Sequence, residues 1–175
     1  VARTSPGRCG FLARQTIARE LEVPVGAPSS EQCVLAPETC EAFGELRVLS
    51  VGPVRTTGPA RARLMQAARG TFVVTAEDHC YPDPGWAAAL VRAQRGPWAA
   101  VGPTVVNANP RTALSWADFL LNYAHAAEPL TEGEAPDTAW HNTANKREAV
   151  AAQGEDLGRL LDESSELTRS IRSPL

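Results

Sequence analysis

A chain of 175 residues, 43% hydrophobic and 21% charged, is long and apolar enough to bury a core within one domain. Its net charge of −3 excludes the strong basic field of a general nucleic-acid binder. No run approaches the roughly 20 apolar residues of a membrane-spanning helix, and no basic, apolar, then small-residue pattern marks a signal peptide. The expectation is a cytoplasmic protein without a transmembrane segment. Cys9, Cys33, Cys40 and Cys80 form no C-x-x-C pair and read as reduced, partly buried thiols.

In chain order, residues 8–22 carry Phe11, Ile17 and Leu21 among charged neighbours, a loosely helical pattern. A strand over 21–25 is weakened by Pro24, which suits only an edge or a bulge. Residues 26–44 are turn-rich, with a helical patch over 37–43. The alternation over 46–51 predicts a strand. Pro59 stands where a first helical turn accepts proline, residues 60–69 form helix readily, and Gly70 stops it. Residues 72–76 then read as a central strand.

Residues 84–95 predict a helix that turns Trp86, Leu90 and Val91 inward, and the β-branched stretch 98–106 predicts a strand. Leu114, Phe119, Leu120 and Tyr123 recur at helical spacing within 113–127, which predicts an apolar helix face. Residues 128–139 are acidic and rich in Pro and Gly, a mobile loop. The last segment, 146–171, reads as helical with a break at Gly154. Strands alternating with helices predict an α/β domain with a mostly parallel sheet flanked by helices.

The apolar run at 72–74 ends in Glu77-Asp78-His79, three consecutive residues of metal-ligand type, followed by a Pro/Gly turn and a helix. Ligands bind where the carboxyl ends of strands open into a crevice, and carboxylates and imidazole projecting there suit a divalent cation. Asp78 as a turn cap and Glu77 as a solvated charge are the simpler alternative.

Two flanking segments sharpen that choice. Upstream runs Thr57-Gly58-Pro59-Ala60-Arg61-Ala62-Arg63, ending in Ala68-Arg69-Gly70; downstream runs His141-Asn142-Thr143-Ala144-Asn145-Lys146-Arg147. In that order the three segments resemble the family 2 glycosyltransferases, which have the GT-A fold. The family's "G-x-A-x-A-R" helix leads into a strand and an acidic "D-x-D", then "C-x-P-x-x-x-W", here Cys80, Pro82 and Trp86. Its later "N-x-x-x-x-R" falls on Asn142 and Arg147. The likeness spans roughly residues 20 to 170.

The resemblance implies an inverting transferase that takes a nucleotide-sugar donor and an acceptor of unknown identity, assisted by Mn²⁺ or Mg²⁺. It implies metal ligands among Glu77, Asp78 and His79, and the histidine favours manganese. Gly58 and Arg61 would meet the donor diphosphate, since arginine forks onto phosphate and helix amino termini favour anions. His141 and Asn142 would line the acceptor side; Asn142 as a helix cap is the alternative. The general base would be Asp156, in a Glu-Asp pair, with Glu163 and Glu166 as alternatives. All three equally suit the solvated face of an acidic helix.

The chain also departs from that pattern. The family's "D-D-x-S" turn after its second strand corresponds to Gly26-Ala27-Pro28-Ser29-Ser30, which lacks a carboxylate. The family's leading hydrophobic strand has no counterpart before Arg3, and the last residues, Ser173-Pro174-Leu175, stop where the family usually continues. The expectation is a partial GT-A domain. A catalytically inactive, shortened homologue that binds sugar nucleotides or proteins is the second reading.

Overall fold

A computed structural model describes residues 9–33, 35–76, 80–135, 138, 142–162, 167 and 170–171. The fold is α/β, with seven α-helices and two small sheets among the described residues. Helix α1 (Cys9–Ala13) leads through a 3-10 turn at Ala18–Glu20 into β1 (Glu22–Ala27). After α2 (Pro37–Glu41), whose proline occupies the first helical turn, strand β2 (Glu45–Ser50) pairs parallel with β1. Helix α3 (Thr57–Ala67) follows, ending where Ala68 turns to extended backbone ahead of β3 (Phe72–Val74).

Helix α4 (Trp86–Gln94) buries Ala87, Leu90 and Gln94; of the three residues expected to turn inward Leu90 is buried, while Trp86 and Val91 are half-buried. Beyond it lie β4 (Ala100–Val101), α5 (Ala113–Tyr123), β5 (Ala144–Lys146), α6 (Arg147–Ala151) and α7 (Leu157–Asp162). In the second sheet β5 is central and antiparallel to both β3 and β4.

The expectation of a mostly parallel sheet is therefore corrected. Among the described strands only β1 and β2 pair parallel, and the central strand of the other sheet, Ala144–Lys146, comes from a segment not expected to be a strand. The predicted strand over 98–106 shrinks to two paired residues because Gly102 and Pro103 interrupt the ladder; Val105 bridges Ala127 instead. The apolar face predicted for α5 is only partly buried: Phe119 is buried, but Leu114 is 81% and Leu120 50% exposed. Residues 128–135 contain no helix or strand, and most of 136–141 lies outside the described residues.

The main core joins Ala62 and Met65 of α3 to Val73 of β3, Val150 of α6, Leu157, Leu160 and Leu161 of α7, and Leu167. Each fully buried Leu or Met contributes about 1.5–3 kcal/mol from apolar burial. Helix α7 packs on α3 through a backbone-to-backbone approach at two glycines. A Cβ on Gly58 would stand 2.1 Å from the Gly158 carbonyl oxygen, so glycine there is a packing requirement. Asp162 lies beside Gly58, while Gly154 accepts a 3.4 Å bond from Gln66 near the other end of α3. The segment 154–162 thus runs antiparallel to α3.

Candidate functional site

The triplet Glu77-Asp78-His79 lies outside the described residues, but both of its flanks are fixed by one residue. Asn142 donates its backbone N–H to the Thr75 carbonyl (2.7 Å) and its side-chain amide to the Cys80 sulfur (3.0 Å). It does so from a left-handed backbone conformation, φ 61°, which asparagine tolerates better than most residues. The residue is buried, and the next three, Thr143, Ala144 and Asn145, are buried with it. Two sequence segments that read as separate motifs therefore meet: the end of β3 and the approach to β5.

The downstream flank of the triplet is clamped a second time. Gln15 donates to the Asp83 carbonyl (2.8 Å) and accepts from the Ala87 amide (2.9 Å), while the Thr16 amide donates to the Pro84 carbonyl. Phe11 meets Tyr81 edge to face, ring centroids 5.0 Å apart. Residues 80–87 are thus bound to the segment after α1 by a buried glutamine with both of its polar atoms satisfied. From β5, the Ala144 carbonyl accepts from buried Gln94 of α4 at 2.5 Å. The first of these bonds hold the residues that follow the triplet, and the last ties α4 to β5.

The amino end of α3 is not an open anion site. Asp162 accepts from the Gly58 amide (2.7 Å) and from the Thr56 hydroxyl (2.8 Å), so a carboxylate of the chain itself already caps the helix. Gly58 is explained by that cap and by the Gly158 contact. Arg61, one turn further on, is half-buried and lines a cavity shared with Thr75 and Ala76 of the triplet's upstream flank.

Asp156 is a surface residue. Its side chain is 74% exposed and pairs at 3.7 Å with Arg159. Gly154, two residues before it, meets Gln66 toward the end of α3 that leads into the start of β3, whereas the triplet follows the other end of β3. The two alternative bases, Glu163 and Glu166, lie outside the described residues, as does His141. Glu163 directly follows Asp162, which sits at the opposite end of α3 from Asp156.

Among the described residues, no group of three or more His, Cys, Asp or Glu side chains is placed to hold a metal ion. No described helix is long and apolar enough to cross a membrane. Sequence reasoning missed Cys80 as the partner of Asn142, Gln15 as the clamp of the following loop, and Asp162 as the cap of α3. Only the last had a local signal, an acidic residue ending an amphipathic helix.

A carboxylate at the foot of β1 organises the other end of the molecule. Glu22 accepts from the Arg69 amide (2.8 Å), the Gly70 amide (3.2 Å) and the Arg47 guanidinium. Burial pushes its carboxyl up, but the Arg69 amide, Arg47 and the Gly70 amide outweigh burial and hold it below the ordinary range. This cluster fastens the turn between α3 and β3 to the first sheet.

No family model, curated protein or solved structure matches this chain.

Proposed function

We infer that the chain is a GT-A-like glycosyltransferase domain of the family 2 type, acting on a nucleotide-sugar donor and an acceptor that its sequence does not identify. The observation that carries this reading is the convergence on Asn142. The acidic triplet after β3 and the His141-Asn142 segment are far apart in sequence, and the pairing of β3 with β5 brings their described neighbours together, as expected for two segments that line one site. Asn142 ties both flanks of the loop, to Thr75 and to Cys80. Such anchoring suits a triplet whose donor atoms must converge on one ion.

In this reading Glu77, Asp78 and His79 would hold Mn²⁺ or Mg²⁺. Bound there, the cation supplies a Lewis acid that offsets the charge developing on a departing diphosphate. Arg61, which lines the same cavity as Thr75 and Ala76, would contribute a positive charge for the diphosphate. Gly58 has no part in holding phosphate, because its amide is committed to Asp162. Glu163 is preferred as the base over Asp156, which is solvated and paired with Arg159.

The second reading, an inactive homologue that only binds, draws on the same exposure of Asp156. One assay separates the two. With Mn²⁺ and a panel of common nucleotide sugars, the parent should slowly release nucleoside diphosphate, water standing in for the acceptor. Glu163→Gln should lower turnover by about 10²–10⁴-fold and leave donor binding intact, whereas Asp156→Asn should change neither. A parent that binds a nucleotide sugar and never releases diphosphate is the binding module.

A further inference from the structure

We draw no further inference here: the strongest candidate, the exposed apolar patch that Leu114, Leu120 and Leu121 form on α5, carries none because nothing in the structure shows what covers it.

Discussion

Asn142 holds Cys80 by a 3.0 Å hydrogen bond from its side-chain amide while its own backbone sits at φ 61°. The two residues are 62 apart in the chain, and their contact ties the residue that follows the acidic triplet to the approach to β5. Strain at this position and the bond to sulfur belong to one device: the left-handed turn aims the Asn142 side chain at Cys80 just before β5 begins.

That device predicts an ordering of variants. Asn142→Ala loses the sulfur bond and places a Cβ residue in a left-handed conformation that costs about 1–2 kcal/mol. Asn142→Gly loses the bond but relaxes the backbone. Urea unfolding should therefore find Asn142→Ala less stable than Asn142→Gly by about 1 kcal/mol. The reverse order would mean that the turn is not left-handed in solution.

The helix pair makes a second, asymmetric prediction. Gly58→Ala drives a methyl group onto the Gly158 carbonyl, an overpacking that costs about 1–3 kcal/mol. Gly158→Ala meets its nearest neighbour, Pro59, only at 3.4 Å and gains helix propensity of about 0.8–1 kcal/mol. Thermal unfolding should show the first variant destabilised and the second close to the parent. Equal losses would mean that the packing of α7 on α3 is looser than described.

The Glu22 cluster sets an acid limb. Because its folded carboxyl titrates below the unfolded value of about 4.3, its contribution to stability is complete above that pH. It is lost as the pH falls through the lowered folded value, since only the unfolded state takes up the proton readily. Glu22→Gln should be less stable than the parent at pH 7, and the gap should narrow steadily below about pH 4.3. A gap that stays constant down to pH 2 would remove Glu22 from the acid transition.

Much of the α/β pattern is legible from residue types. Helix α3, β2 and α4 stand where alanine-rich, alternating and amphipathic stretches predict them. Strand β5 is not legible: Ala144-Asn145-Lys146 has no β-branched residue, and the Arg147-Glu148-Ala149 that follows favours helix. It is a strand because β3 and β4 leave a space that only extended backbone fills, with Asn145 satisfied by the Thr143 carbonyl (3.2 Å). The candidate site divides in the same way. The triplet and Asn142 can be picked out by chemistry, but their contact through Cys80 cannot, because nothing local announces a bond across 62 residues. Asp156, in a Glu-Asp pair that resembles a catalytic one in sequence, stands on a solvated 3-10 turn beside Arg159.

The most direct test of the proposed function is the thermal stability of the full chain with Mn²⁺ and each common nucleoside diphosphate, compared between the parent and a Glu77→Ala, His79→Ala double variant. A ligand that binds only the folded state stabilises it by about 2.7 kcal/mol at a hundredfold excess over its dissociation constant. The account predicts a metal-dependent rise in melting temperature for the parent with at least one nucleotide, and its loss in the double variant. An equal rise in both proteins, or none in the parent with any of the nucleotides, would contradict it.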